Sequence, residues 1–591
     1  MILQALNEYY RRKIDDPDPA KRLPAFGLEQ KEIPFVLEIT ADGVLVQLRD
    51  TRELVGKKKV GRSFRVPQGV KKTSGVAANL LWDSMEYVLG VDTRGKPERV
   101  VEQHAAFRAR IDALPERTRE DDGIQAVLRF LSSIDRRRLE AEAVWSELLE
   151  TNPVMSFLLH GDAGLVCQRP AVVSAVLNAS DEADAPQAMC LVSGEMAPVE
   201  RLHAPIKGVW GAQTSGANIV SFNARAFESY GKTQRQGENA PVSKAAAFAY
   251  TTALNHFLRK DSPQRMQVGD TSTVFWTEQD HELEAALAAI LGEPVKGDPD
   301  GNTLAVRALY SAVQSGSLGT RERAQNRFHV LGLAPNAARV SIRFYHCLPL
   351  NDLAARIVAH FDDLKMVRGK TDAEYPSMFR LLAAVAAQGK ADNIPPNLGG
   401  AVMEAVLGGP TVSYPALWLN AAVNRCRAEQ SVNYLRAAAI KACLNRSIRR
   451  QPHSSNPSPE KEFLPMLDLT NVNAAYRLGR LFSALEKIQE EASPGLNATI
   501  RDRYYGAASS TPVAVFTTLL RLKNSHLKKL SVGRSMWFEK LLGEVLGAVK
   551  DFPKNLTLQD QGRFALGYSH QRQAFFTKSD NTSTATHGTP S

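Results

Sequence analysis

Residues 33–48 read IPFVLEITADGVLVQL, two apolar-rich runs at 33–40 and 44–48 hinged on Asp42-Gly43. Side chains alternate along each arm, and Asp-Gly suits the positive-φ positions of a tight turn, so the stretch predicts an antiparallel hairpin. Just upstream, residues 2–13 space their apolar side chains as a short amphipathic helix. From residue 351 onward strand signals nearly vanish and the chain becomes Ala- and Leu-rich with helical spacing. A chain that opens on helix and hairpin and closes on helices is α+β. The expectation is a mixed N-terminal half with antiparallel strands and long basic loops, then a mainly helical C-terminal half ending in a helical bundle.

At 591 residues the chain is too long for one core, and roughly 150 residues per domain implies three or four packing units. The expected divisions are a mixed region 1–345, a helical region 346–448, a Pro- and Ser-rich linker 449–465 (RRQPHSSNPSPEKEFLP), a helical bundle 466–578 and a disordered tail 579–591. Within these, residues 79–89, 98–114, 123–132 and 138–150 predict helices, 165–196 predicts strands, and 243–258 predicts a helix capped by Ser243. Residues 328–333 and 339–345 predict two strands joined through Ala334-Pro335-Asn336. Residues 474–491, 498–505, 512–530 and 535–549 predict the helices of the bundle.

Lys and Arg exceed Asp and Glu by 73 to 63, a net charge of +10, which favours an anionic partner, either nucleic acid or an anionic membrane. The polar N-terminus and the lack of any run of about 18 apolar residues predict neither a signal peptide nor a spanning helix, hence a cytoplasmic protein. Cys167, Cys190, Cys347, Cys426 and Cys443 lie far apart, with no Cys-x-x-Cys and no paired histidine at zinc spacing. That argues against a disulfide framework or a structural metal, and no cofactor is expected.

Three stretches carry candidate binding chemistry. Residues 56–75, GKKKVGRSFRVPQGVKKTSG, place Lys57, Lys58, Lys59, Arg62, Arg65, Lys71 and Lys72 in a run with no acidic residue between Glu53 and Asp83. It is either a solvated loop or a loop that tracks phosphates. Residues 207–241, KGVWGAQTSGANIVSFNARAFESYGKTQRQGENAP, set Gln213, Asn218, Asn223, Gln234, Gln236 and Asn239 among Lys207, Arg225, Lys232 and Arg235. Here glycines admit close backbone approach, amides can read base edges and cations neutralise phosphate; the other reading is a long polar loop over an ordinary core. Trp210 and Tyr230 stack on an unpaired base or pack inside. Arg321, Arg323, Arg327, Arg339 and Arg343, opposed only by Glu322, and the patch Arg521, Lys523, Lys528, Lys529 and Arg534 extend the basic theme.

No catalytic constellation emerges. Gly90-Val91-Asp92-Thr93-Arg94-Gly95-Lys96 follows phosphate-loop spacing until Pro97 replaces the hydroxyl residue that would hold magnesium and removes a backbone donor. Gly231-Lys232-Thr233 and Gly369-Lys370-Thr371 lack the earlier glycine, with Ala226 and Leu364 in its place. His360-Phe361-Asp362-Asp363 is either part of a metal nuclease or a capped helix end, and His160-Gly161-Asp162 has no partner cluster.

Five segments carry a family resemblance: MILQALNEYY at the start, VPQGVKKTSGVAANLLWDSMEYVLG, GANIVSFNARAFESYGKTQRQGENAPVSKAAAFAYTTALN, FHVLGLAPNAARVSIRFY, and AYRLGRLFSALEKIQEEASPGLNATIRDRYYGAASSTPVAVFTTLLRL. In this order they resemble the Csd-type large subunit of the subtype I-C CRISPR surveillance complex, Cascade. The resemblance implies a subunit with no catalytic activity, held in the prokaryotic cytoplasm with a guide RNA (crRNA) and the Cascade backbone subunits. It would examine double-stranded target DNA for a short flanking motif, help open the duplex into an R-loop, and recruit a helicase-nuclease, while guide pairing supplies sequence specificity. It also implies that the final helices are made separately as a small subunit by internal initiation, for which Met466 is one start. On this reading Lys57, Lys58, Lys59, Arg62, Lys71, Lys72, Lys207, Lys232 and Arg235 grip the DNA backbone. Gln213, Asn218, Asn223, Gln234, Gln236 and Asn239 read the motif or wedge the strands, and Arg521, Lys523, Lys528, Lys529 and Arg534 line the displaced strand. The alternatives are an unguided DNA-binding or scaffold protein and, third, a nuclease.

Overall fold

The computed structural model describes residues 1–56, 58–70, 75–178, 187–222, 224–232, 236–292, 302–316, 326–450 and 460–577. Two compact units divide the chain: residues 1–207 with 215–256, and residues 208–214 with 257–591. Strands gather in small sheets before residue 350, and the rest of the chain is helical, an α+β protein.

In the first unit the strands are β1 (Leu28–Glu32), β2 (Phe35–Ile39), β3 (Leu45–Asp50), β4 (Glu53–Val55), β5 (Lys58–Val60), β6 (Ser63–Pro67), β7 (Trp82–Ser84), β8 (Val154–Leu159), β9 (Gln187–Met189) and β10 (Met196–Pro198). The Asp42-Gly43 hairpin forms as expected, with β2 antiparallel to β3. Gly43 has φ +79, and a Cβ there would come within 2.6 Å of the Phe130 backbone nitrogen, so the turn is pressed onto a helix where only glycine fits. All five residues of β2 are buried because the strand is central, in a sheet of order β3-β2-β8-β7. Helices Pro97–Asp112 and Asp122–Ser132 cover this sheet, bringing Phe107 and Phe130 to ring distances of 6.3 and 5.8 Å from Phe157 of β8.

Three expectations in this unit need correction. The helix predicted at 79–89 is strand β7 followed by a short helix Met85–Leu89, because the Asp83 carboxylate takes the backbone N–H groups of Asn79 and Ser84 and interrupts helical pairing. The helix predicted at 138–150 breaks into Arg136–Glu140 and Trp145–Thr151. Within 165–196, Pro170 opens a helix, Pro170–Asn178, where strands were expected, and among the described residues the strands are those of the short hairpin β9–β10. The basic run is more ordered than a loop: β4 and β5 form a hairpin, and β6 pairs antiparallel with β1.

The second unit holds one sheet of order β11-β12-β13-β14, from strands β11 (Arg265–Val268), β12 (Thr271–Thr277), β13 (Arg327–Asn336) and β14 (Arg339–Pro349). The strands predicted at 328–333 and 339–345 are β13 and β14, antiparallel and longer than expected, with a register irregularity at Gly332/Leu333. A single apolar cluster joins this sheet to the helices that follow, from Leu350–Leu364 through Leu558–Ala574. The helix predicted at 474–491 is present as Ala474–Ala492. It lies against Leu558–Ala574, a helix the sequence did not announce. Their contact is made by glycine: a Cβ on Gly479 would collide with the Phe564 carbonyl, and one on Gly567 with the Tyr476 carbonyl. Ahead of this pair, buried Phe463 exchanges backbone hydrogen bonds with the Asn445 side chain at 2.8 and 3.0 Å. No helix among the described residues is long and apolar enough to cross a membrane.

Candidate nucleic-acid interface

Of the predicted phosphate contacts, Lys57, Lys71, Lys72 and Arg235 lie outside the described residues, and only the backbone of Lys58 is described. Lys59 stands exposed on β5, in a field that also holds Asp50 and Glu147; both carboxyls are held below their usual range, chiefly by hydrogen bonds from Arg52 and further by Lys59. Arg62 is exposed, its guanidinium 5.4 Å from the Phe64 ring centroid. The strand register then adds a residue that the sequence did not single out. Lys31 faces Phe64 across the β1–β6 pair and sets its ammonium 5.3 Å from the Trp82 ring. Burial pushes the Lys31 ammonium down, and repulsion from Lys207 pushes it further. Burial raises the carboxyl of neighbouring Glu29, which Lys207 and Lys31 pull back down. Lys207 therefore shares an electrostatic neighbourhood with the β1–β6 pair, in which Lys31 also feels Glu29, Glu32 and Asp83. A lone lysine in the strand LEQKE carries no sequence signal for this; only strand pairing brings it there.

The polar segment folds back on itself. An isolated bridge pairs Ile206 with Ala217, and Gly216 (φ +92) leaves no room for a Cβ, which would come within 2.8 Å of the Ile206 carbonyl. Asn218 donates to the His203 carbonyl at 2.9 Å. Asn239 accepts from the Ser229 backbone N–H and hydroxyl at 3.0 and 3.2 Å and donates to the Gln236 carbonyl at 3.3 Å. The Gln236 side chain accepts from Arg201 at 3.0 Å, and Lys232 donates to the Glu238 carbonyl at 2.7 Å. These amides brace the chain. Gln213 is exposed and, with Trp210, belongs to the second unit; Asn223 and Gln234 lie outside the described residues.

What the bracing presents is Tyr230. Ser229 to Lys232 make a tight turn closed by the Lys232 N–H on the Ser229 carbonyl at 3.0 Å, with φ of +54 at Tyr230 and +70 at Gly231. A left-handed tyrosine costs on the order of 1 kcal/mol, yet this one buries nothing: it is 96 % exposed. Trp210 is 62 % exposed. Of the two readings of these aromatics, internal packing is excluded for Tyr230 and does not hold for most of Trp210.

The remaining basic clusters are partly committed. Arg321 and Arg323 lie outside the described residues, and Arg343 sits 3.4 Å from Asp270. In the C-terminal patch Lys523 pairs with Glu539 at 2.9 Å. Arg534 chelates Glu491 at 2.7 and 2.8 Å and stacks 4.2 Å from the Trp537 centroid. Arg521, Lys528 and Lys529 are exposed.

The nuclease reading loses its residues. His360 is buried, its Nδ1 2.6 Å from the Tyr414 hydroxyl, and burial reinforced by Arg446 pushes it down to about 3. Both Asp363 oxygens are occupied, Oδ2 by Arg446 Nε at 2.7 Å and Oδ1 by Arg449 at 2.6 Å, and Asp362 accepts from Tyr310 at 2.9 Å. His160 faces the Glu38 carboxylate at 2.7 Å, and Asp162 pairs with Arg169. These side chains are committed to ion pairs and hydrogen bonds within the chain.

A family model described as CRISPR-associated protein (Cas_Csd1) matches residues 6–576, nearly the whole chain and both units. No curated protein matches it.

Proposed function

This chain belongs to the Csd1 family of CRISPR-associated proteins, and we propose that it is the non-catalytic large subunit of a subtype I-C interference complex. In that complex it works beside a guide RNA, the Cascade backbone subunits and a small subunit translated separately from its own C-terminal helices. It reads a short motif beside the target in double-stranded DNA, starts the R-loop, and recruits a helicase-nuclease. Guide pairing supplies sequence specificity, so the protein needs only a grip on phosphates and a device to part the first base pairs.

The observation that carries this reading is the Tyr230 turn: a rigidly braced, fully exposed aromatic ring held in an unfavourable backbone conformation. Strain kept without a packing reward is what a functional constraint leaves behind. Lys232 and Arg225 stand on either side in sequence, and Lys31, Lys207, Lys59 and Arg62 supply cations on the same unit. An aromatic that stacks on a freed base returns about 1–3 kcal/mol, comparable to the few kcal/mol that unstacking one step costs.

The test is R-loop formation by the reconstituted, guide-loaded complex, read by 2-aminopurine fluorescence beside the flanking motif. Tyr230→Ala is expected to slow opening of a fully paired target about tenfold or more and to leave binding to a pre-opened target unchanged. Equal losses on paired and pre-opened targets, or no loss on either, would remove Tyr230 from this role. A tagged chain that purifies from its host without repeat-derived RNA would instead favour an unguided DNA-binding protein.

A further inference from the structure

The geometry points to a transition-metal site of the zinc class formed by Glu278, His329 and Cys347 at the end of the second unit's sheet. These residues are scattered in sequence, and strand register collects them. His329 of β13 lies directly opposite Cys347 of β14 and opposite Trp276 of β12 on its other side, and Glu278 follows β12 with its N–H on the Arg327 carbonyl at 3.0 Å. The imidazole nitrogen, the thiol sulfur and a carboxylate oxygen all lie within 4.8 Å of one another.

A second observation concerns the imidazole, whose buried nitrogen faces the other two donors. His329 is 3 % exposed, and its Nε2 is sealed from solvent with no hydrogen-bond partner, 3.6 Å from Glu278 Oε1 and so beyond a hydrogen bond. Buried polar nitrogens of this kind are uncommon, and an absent ion is one of the ordinary explanations. The other nitrogen, Nδ1, is 2.8 Å from the Tyr345 hydroxyl. A hydroxyl there can hold the Nδ1 side of the ring as an outer-shell partner, leaving Nε2 to face the ligand. Trp276 stacks on the ring at a centroid distance of 4.9 Å and Tyr345 at 6.0 Å, so the direction of Nε2 is set by packing.

The donor set selects the class of metal. One nitrogen, one thiolate and one carboxylate suit zinc or cobalt, whereas magnesium and calcium prefer oxygen throughout. Thiolate and carboxylate together neutralise a divalent ion. Arg327, whose guanidinium is 3.9 Å from the Cys347 sulfur, sets a cation beside the site that repels the ion. Glu278 is 43 % exposed on its side chain, which leaves an entry path and a fourth coordination position open to water. A bound ion would tie the edge strand β14 to the end of β12 across β13.

The experiment uses the full chain, stripped with a chelator and titrated with Co²⁺, then Zn²⁺. The expected result is one equivalent of Co²⁺ with tetrahedral ligand-field bands and a thiolate charge-transfer band, displaced by Zn²⁺, with a higher unfolding temperature for the loaded protein. Cys347→Ser should abolish the charge-transfer band and Glu278→Gln should weaken binding about tenfold, both with unchanged far-UV circular dichroism when metal-free. Cys190→Ser should keep the band. No stoichiometric binding by the native chain would overturn the site, as would a band that survives Cys347→Ser or disappears in Cys190→Ser.

Discussion

Asp363→Ala separates a structural carboxylate from a catalytic one, and its magnitude follows from the contacts. The Asp363 and Arg446 side chains are both 0 % exposed. Removing one member of a buried pair costs about 3–5 kcal/mol, because the other charge is left without its counter-ion. Arg446 would retain three backbone carbonyls, those of Ala405, Gly409 and Val412 at 2.7, 3.0 and 3.1 Å, and the face of Tyr414 at 3.9 Å. Those contacts put Asp363→Ala near the lower end, about 3 kcal/mol. Arg446→Ala should cost more, roughly 5 kcal/mol or above, since it opens a cavity and strands those carbonyls at about 1–3 kcal/mol each. Replacing both residues with apolar side chains of similar volume should recover most of the loss. The assay is native-state hydrogen exchange in the helix Tyr434–Arg450, which carries Arg446, because a chain of two units has no single unfolding free energy. A cost below about 1 kcal/mol for Asp363→Ala, or metal-dependent DNA cleavage by the native chain that this substitution abolishes, would refute the reasoning.

Acid should destabilise the second unit before its carboxylates titrate. Burial, helped by Arg446 at His360 and by Lys441 at His570, pushes both imidazoles down to about 3. The unfolded chain takes up protons below about pH 6.5 while the folded chain does not until about pH 3, so stability falls with pH in that window by about 1.4 kcal/mol per unit for each histidine. A urea midpoint unchanged between pH 7 and pH 5.5 would contradict this. On duplex DNA, Lys59→Glu with Arg62→Glu should weaken binding on all sequences and reduce the slope of log affinity against log salt by about two, read by fluorescence anisotropy; loss confined to one flanking motif would make these residues readers. Gly479→Ala should cost about 3 kcal/mol or more by forcing the two C-terminal helices apart. Gly506→Ala, at a helical glycine with nothing within 4 Å of the new Cβ, should stabilise by about 0.5–1 kcal/mol. Thermal melts of the two variants moving in the same direction would defeat that comparison.

What was legible in the sequence was local. Asp42-Gly43 announced β2 and β3, and Ser243 announced a helix start, its hydroxyl accepting the Ala246 N–H at 3.2 Å; β13 and β14 were also announced, but Ala334-Pro335-Asn336 pair within the ladder and the turn falls at Ala337-Ala338. Long-range pairing was not. β8 is a bare apolar run, VMSFLL, whose parallel partner β2 lies more than a hundred residues upstream, and apolar runs of that length do not declare themselves strand or helix. Pro170–Asn178 is rich in valine yet helical, tertiary context overriding β propensity. Leu558–Ala574 went unseen because Gly562 and Gly567 dilute its pattern, and the close approach they allow is invisible without the facing helix. For the candidate interface, composition marks the stretch and leaves the side-chain commitments unread. Amides look like base readers, but Asn218, Gln236 and Asn239 spend bonds on the chain itself; the sequence leaves both readings of Tyr230 open, and the strand-borne Lys31 carries no signal.

The glycine seam between Ala474–Ala492 and Leu558–Ala574 has a second side. A Cβ at Gly562 would sit 3.2, 3.3 and 3.6 Å from Leu419, Ile440 and Leu444, and Phe463 packs 5.7 Å from Tyr476. All four covering residues precede Met466. A short product beginning there inherits both halves of the seam without the roof the long product builds for itself. If the proposed short product is made, the same strip would be sealed interior in the long chain and raw edge in the short one. Such a short form would survive alone only until it met a neighbour, so aggregation and proteolysis would bear on the ratio of the two products as well as translation.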